Sequence, residues 1–334
     1  GFADVDAKRP LTTDTVMYGA SLTKAAFAYL TVHLAAEKVL DLDAPLPRLL
    51  ARPLPEYPDF ADLAGDPRWQ KVTPRMLLSH TSGLLNWRFI NDDGKLDFKY
   101  EPGTRYVYSG EGIQILQLVV EERTGRKTGE LMQERVFDRF GMKSTSMSWR
   151  ADFEGRVSNR YDLDGKAVGH NRRKRARAAG SMDTTLEDYA RFVAGVLREH
   201  KAGSQPVIEM LRPQARIVSP QQFPSHFPGQ TNVNDGIALS AGLGWVVYQS
   251  PMGPAFFKEG NDTGTNNFAL GFPRTGTAIL MLSNSSRADR IFFPVVEELL
   301  GKTCLPWFWM GYIPYDRSEL REPAARANPV GPCR

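Results

Sequence analysis

Residues 15–40 read TVMYGASLTKAAFAYLTVHLAAEKVL, and the architecture turns on how this stretch is read. Thr15 to Tyr18 has the composition of a short buried strand. Past Gly19 and Ala20, an Ala- and Leu-rich run carries apolar residues at helical spacing until Asp41 to Pro45 end it. Ser21 and Lys24 sit in the first turn of that helix, at i and i+3, so their side chains share one face about a hydrogen bond apart. A serine hydroxyl is a weak nucleophile until a base takes its proton. A lysine set among Ala, Phe and Leu has its pKa lowered by desolvation and can serve as that base. The free N–H groups and dipole of a helix N-terminus also favour a developing oxyanion. Chance alone supplies about one such SxxK pair in a chain of this size, so the rest of the sequence has to decide.

Working outward, Thr73-Pro74 caps and opens a helix that closes at residues 80–83, HTSG. Glu101 to Thr104 turns into residues 105–108, RYVY, and helices are expected over 112–122 and 128–140, stopped by Gly125 and Gly141. A cap-and-acid pattern at 181–188 starts another, reaching about Arg198. After residue 236 short apolar runs alternate with Gly, Pro and polar turns, the pattern of three or four antiparallel strands, and a last helix follows over 290–300.

The 334 residues allow one large domain or two smaller ones. Hydrophobic residues at 42% and charged residues at 24% are ordinary for a globular protein, and no apolar run approaches the length of a bilayer span. Net charge is +4, with basic residues gathered at Arg172, Arg173, Lys174, Arg175 and Arg177. This run reads as a solvated loop; an anion grip is the alternative, and without interleaved aromatics it gives nucleic-acid binding no support. Five scattered histidines without HExxH spacing, and two cysteines outside any CxxC pair, argue against a metal site. Cys304 and Cys333 bracket a Pro-rich tail poorly suited to helix or strand; a disulfide and two free thiols both fit.

Taken together, SLTK at 21–24, TPRMLLSHTSG at 73–83, EPGTRYVYSGEGIQILQLVVEERTG at 101–125 and FDRFGMKST at 137–145 resemble the serine β-lactamase-related superfamily. AAGSMDTTLEDYARF at 178–192, GLGW at 242–245, KEGNDTGTNNFALGFP at 258–273 and TAILMLSNS at 277–285 extend the resemblance in the same order. The superfamily includes class C β-lactamases, penicillin-binding proteins and family VIII carboxylesterases. The resemblance implies an α/β plus all-α fold of the β-lactamase/transpeptidase type, an antiparallel sheet flanked by helices with an inserted helical domain. The expected division is an α/β domain from 1–40 and 236–305, a mainly helical domain over 41–235, and a tail over 306–334. It also implies a helix and two strands ahead of residues 1–4, which are absent here; either a segment precedes Gly1 or something else covers the sheet edge.

The resemblance assigns roles by position. Ser21 and Lys24 match the SxxK pair, and Tyr108 matches the tyrosine that shuttles a proton to the leaving group. Lys258, Glu259 and Gly260 match the KTG or HxG strand, where the cation lowers the tyrosine's pKa and the glycine admits the substrate backbone. Asn261 would offer a second oxyanion N–H beside that of Ser21. The literal KTG at Lys127-Thr128-Gly129 lies between two helices and is a decoy. Two departures bear on specificity. Gly110 stands where β-lactamases hold the substrate amide with asparagine. Glu259 replaces a hydroxyl and should repel a carboxylate unless paired or turned away. His80 is expected to be structural; Trp245 is expected in the core, with Trp307 and Trp309 as possible pocket liners. The pocket shape should rest on the loops 86–100 and 215–235.

The expected activity is therefore a cofactor-free serine hydrolase of carboxylic esters or amides, acting on a small-molecule or peptide acyl substrate. The alternatives are a peptidase on peptide or D-amino-acid substrates, a weak β-lactamase, or a silent penicillin-binding sensor. A periplasmic or secreted location is favoured over a cytoplasmic one; the oligomeric state is left open.

Overall fold

The helix read from the opening stretch, α1 (Leu22–Ala36), is buried along nearly its whole length. A helix without a polar face is stable only when covered all round. The sheet residues Phe256 and Ala269, Trp245 just ahead of the sheet, and the helical residues Leu77, Leu116 and Phe192 share one core with α1. The computed structural model describes residues 1–226, 228–316 and 333.

Strands β1 (Phe2–Asp4) and β2 (Arg9–Pro10) form a small hairpin. The strand expected at 15–18 shortens to β3 (Met17–Tyr18) and pairs with β4 (Asp183–Thr184), so it joins a separate two-stranded ladder. The main sheet contains β5 (Ala215–Arg216), β6 (Ser240–Ala241), β7 (Val246–Ser250), β8 (Gly253–Asp262), β9 (Thr265–Phe272) and β10 (Thr277–Met281). It is an antiparallel meander in the order β10-β9-β8-β7-β6-β5. The four longer strands are those expected after residue 236; β5 and β6, two residues each, are too short to leave a periodic signal.

Alternation along β8 splits the core into two layers. Phe256 faces the α1 layer, whereas Phe257 joins Phe268, Phe292, Trp307 and Tyr312 on the other face. That face is covered by α8 (Phe292–Leu300) and the one-turn α9 (Trp307–Met310). Each fully buried phenylalanine contributes roughly 1.5–3 kcal/mol.

The helical side comprises α2 (Pro74–Leu78), α3 (Gly110–Thr124), α4 (Thr128–Met132), α5 (Asp138–Phe140), α6 (Leu186–Lys201) and α7 (Gln205–Leu211). The caps are legible in sequence. Thr73 accepts from the Met76 amide, Ser109 from Gly112 and Thr185 from Asp188, while Gly125 ends α3 at φ 65°. The single helix expected over 128–140 widens into a π turn at Gln133–Phe137 between α4 and α5. The tail differs from expectation too, since Trp307 to Met310 make one helical turn before Gly311. Cys304 and Cys333 form a disulfide, which selects one of the two open alternatives. Residues 317–332 of the tail lie outside the described residues. Among the described residues no helix is long and apolar enough to cross a membrane.

Candidate active site

The site forms where the N-terminus of α1 meets β8 at Gly260. The link between β3 and α1 is tight: Ala20 adopts φ 46°, and the Leu22 amide closes back onto the Gly19 carbonyl. Such a turn costs a non-glycine residue strain and is retained where the geometry matters. It leaves Ser21 as the half-buried cap of α1, with no side-chain cap bond.

Lys24 is fully buried, with Nζ 2.9 Å from Ser21 Oγ. The same Nζ also donates to the Ala179 carbonyl. Burial pushes the Lys24 pKa down; Tyr108 opposes this and Lys258 reinforces it, and the result is a lysine below its ordinary value. Tyr108 lies between the two cations, its ring centroid 4.9 Å from Lys24 Nζ and 5.1 Å from Lys258 Nζ. Burial alone would raise the phenol, but the two lysines and hydrogen bonding towards Lys24 and Ser21 outweigh it and hold it below its ordinary value. The buried Tyr108 hydroxyl completes no hydrogen bond among the described residues.

Gly260 is required by contact. A Cβ there would come within 2.4 Å of the Gly19 carbonyl oxygen and 3.1 Å of the Leu22 amide nitrogen. Only a bare backbone lets β8 approach the first turn of α1 this closely. The next residue, Asn261, lines the cavity, and its Nδ2 donates to the Tyr312 hydroxyl at 3.1 Å. Gly244, at φ 76°, meets α1 from the other side; a Cβ there would sit 2.4 Å from that of Ala28.

Glu259 is buried but not unopposed. One carboxylate oxygen accepts from Gln222 Nε2 at 3.2 Å and lies 3.6 Å from Lys258 Nζ, while the other has no partner among the described residues. The repulsion expected from its sequence position is thus partly cancelled in place. His80 packs on Tyr108, ring centroids 4.3 Å apart, and its Nδ1 accepts from the Ser109 amide. Burial, then Lys24 and Lys258, drive its pKa well below the ordinary value, so it is neutral here. Lys127 of the literal KTG is 81% exposed at the start of α4, as its context implied.

A cavity of about 670 Å³ opens over Ser21, Tyr108, Lys258, Glu259 and Asn261. Sequence reasoning missed its walls. Trp87 and Phe89 come from the 86–100 loop, Phe223 from the 215–235 loop, and Arg173 and Arg177 from the basic run. The two loops were the pocket-shaping segments anticipated, but which side chains they send inward depends on tertiary placement. Part of the basic run is also not simply solvated. Arg173 stacks on Tyr18 at 3.6 Å and pairs with buried Asp183 at 3.5 Å. Trp307 and Trp309 are buried in the outer core layer instead of lining the pocket, and Trp309 Nε1 donates to the Ser219 carbonyl.

A protein-family model described as Beta-lactamase matches residues 1–292. The chain belongs to the beta-lactamase family. This beta-lactamase-family chain is 25% identical over 275 residues to penicillin-binding protein 4* of Bacillus subtilis, covering 75% of the chain and 56% of that protein. It therefore spans little more than half of that relative's length. It is 26% identical over 303 residues to the lovastatin esterase of Penicillium rubens, covering 79% and 71% of the two chains. Its fold matches the crystal structure of a penicillin-binding protein from Bacillus halodurans with a TM-score of 0.69 at 20% identity, over 90% of each chain. The chain is also 24% identical over 273 residues to a protein of Pseudomonas fluorescens named beta-lactamase, so its relatives carry the names of esterases, penicillin-binding proteins and beta-lactamases alike.

Proposed function

We propose that this chain hydrolyses carboxylic esters or amides through an acyl-enzyme on Ser21. The observation that carries the reading is a fully buried lysine amine 2.9 Å from the hydroxyl of a half-buried serine that lines a cavity. Neutral Lys24 takes the Ser21 proton as Oγ attacks the carbonyl carbon. In this reading the oxyanion is met by the backbone N–H groups of Ser21 and Asn261, and the close approach of Gly260 to the first turn of α1 supports it. As the bond to the leaving group breaks, Tyr108 gives that group a proton and is recharged from Lys24. Water then attacks the acyl carbon by the reverse relay and regenerates Ser21.

Esters and simple amides are favoured over β-lactams because Gly110 supplies no side-chain amide to hold an acylamino group. The neighbouring Trp87 and Phe89 offer an apolar surface instead. The deciding assay compares a short-chain p-nitrophenyl ester, nitrocefin and a D-alanyl anilide on wild type and Ser21→Ala. Dominant ester turnover, abolished in the variant, is the expected result. Turnover that survives Ser21→Ala refutes the nucleophile; dominance of nitrocefin or the anilide refutes the substrate class.

A further inference from the structure

Gly110 follows Ser109, the cap of α3, and its conformation is one that any residue adopts; what excludes a side chain there is Trp87. A Cβ on Gly110 would fall 2.6 Å from both Cζ2 and Cη2 of the indole. The Trp87 ring therefore fills the space that a side chain at position 110 would occupy. The backbone holds it there, since the Gly110 and Glu111 amides both donate to the Asn86 carbonyl at 3.0 Å, and Gly110 also donates to Asn86 Oδ1 at 2.9 Å. Trp87 continues outward into Phe89, with rings nearly parallel at 14° and centroids 6.3 Å apart. Phe223 lines the same cavity and stands edge-on to Tyr108 at 5.1 Å. Phe89 and Phe223 are 75% and 45% exposed, an unusual amount of bare aromatic surface beside a polar cluster.

We propose that Trp87, Phe89 and Phe223 form an aromatic subsite, and that the preferred substrates carry a flat aromatic or similarly broad apolar group against it. This rests on the acyl-transfer reading of the same cavity, and it makes Gly110 and Trp87 a coupled specificity pair. A ring packed against aromatic side chains gains contact area and favourable offset or edge geometry, which a methyl or a charged group does not. The ring can belong to the acyl side or to the leaving group; both present the same chemistry to the wall.

The test reads ratios and binding together. On the acyl side, kcat/KM is compared for the p-nitrophenyl esters of acetic and 3-phenylpropionic acid. On the leaving side, methyl and benzyl acetate are compared by proton release. Wild type is expected to prefer the aryl partner by about tenfold or more in one arm, which identifies the side. Trp87→Ala should erase that preference and Trp87→Phe should keep part of it. Gly110→Ala, whose Cβ must displace the indole, should erase it as well, with no further loss in the double variant. Binding of 3-phenylpropionamide against propionamide, followed by titration calorimetry, needs no turnover and separates the two readings. Discrimination in binding without hydrolysis of any ester sinks the proposed reaction and keeps the subsite. Equal binding of 3-phenylpropionamide and propionamide together with equal binding of N-benzylacetamide and N-methylacetamide, or a preference that Trp87→Ala leaves intact, overturns the subsite whether or not the chain is an esterase.

Discussion

Replacing Lys258 by methionine removes one of the two cations beside Tyr108 while keeping most of the side chain's volume. At 5.1 Å from the ring, and at an effective dielectric near 20, a unit charge interacts with a phenolate by about 3 kcal/mol. If that interaction is present in the transition state, its loss lowers kcat/KM by roughly two orders of magnitude at neutral pH. The sign of the pH effect is fixed by both neighbours. Lys258 depresses the Lys24 pKa, and it also depresses that of Tyr108. Without it both groups hold their protons to higher pH, so the form with neutral Lys24 is populated later and the acid limb moves alkaline.

One complication is built into the site, because Glu259 lies 3.6 Å from the Lys258 amine. Stranding a buried carboxylate costs about 3–5 kcal/mol and endangers folding on its own account. The double variant Lys258→Met with Glu259→Gln removes that charge as well and isolates the effect on Tyr108 and Lys24. Profiles of kcat/KM against pH, taken on all three proteins with a p-nitrophenyl ester, provide the measurement. A limb that stays in place or moves towards acid in the double variant would refute the claim that Lys258 tunes the pair.

Gly260→Ala places a methyl 2.4 Å from the Gly19 carbonyl and must push β8 off the first turn of α1, so kcat/KM should fall at least about 10²-fold. Its thermal midpoint should drop only modestly; activity within threefold of wild type contradicts the close-approach argument. Removing the Cys304–Cys333 disulfide, by Ser substitution at both positions, frees a loop of sequence separation 29 and should cost about 3 kcal/mol in urea unfolding. Asp188 is buried and accepts from the Ser144 amide at 2.7 Å and from Thr145 Oγ1 at 3.0 Å, while pairing with Arg191 at 2.7 Å. Asp188→Ala strands these donors and should cost on the order of 2–3 kcal/mol by the same unfolding assay, with the ester profile unchanged in shape.

What was legible in the sequence is what local rules control. The burial of α1 follows from a run with no polar face, and the caps at Thr73 and Thr185 follow from hydroxyls placed one residue ahead of apolar periods. The four long strands alternate between turn residues and announce themselves. The Pro-rich stretch between α1 and α2 hides its structure, because proline fixes φ without donating a hydrogen bond. It forms successive 3-10 turns at Leu46–Arg48, Leu54–Glu56, Pro58–Leu63 and Pro67–Lys71, where the helical period is never long enough to register. The π turn in the 128–140 run is likewise silent, since widening one turn leaves the apolar spacing almost intact.

The site divides along the same line. Ser21 with Lys24 is a local pair, and Tyr108 and Lys258 could be placed by resemblance. The meaning of the two departures at Gly110 and Glu259 could not be read where they occur, because each is answered by a side chain far away in sequence. The space at Gly110 is filled by Trp87 from one loop, and the charge of Glu259 is met by Gln222 from the other. Gln222 is itself held by its amide, which donates to the Trp309 carbonyl at 2.8 Å, so the accommodation of Glu259 reaches back to the helical turn that opens the disulfide-closed tail. A change at either motif position is therefore a change in a loop as well. Restoring asparagine at 110 alone would set it against the indole, and a hydroxyl at 259 alone would leave Gln222 and Lys258 without the carboxylate they share. The departures are best understood as two motif–loop pairs, and specificity in this cavity belongs to the pairs.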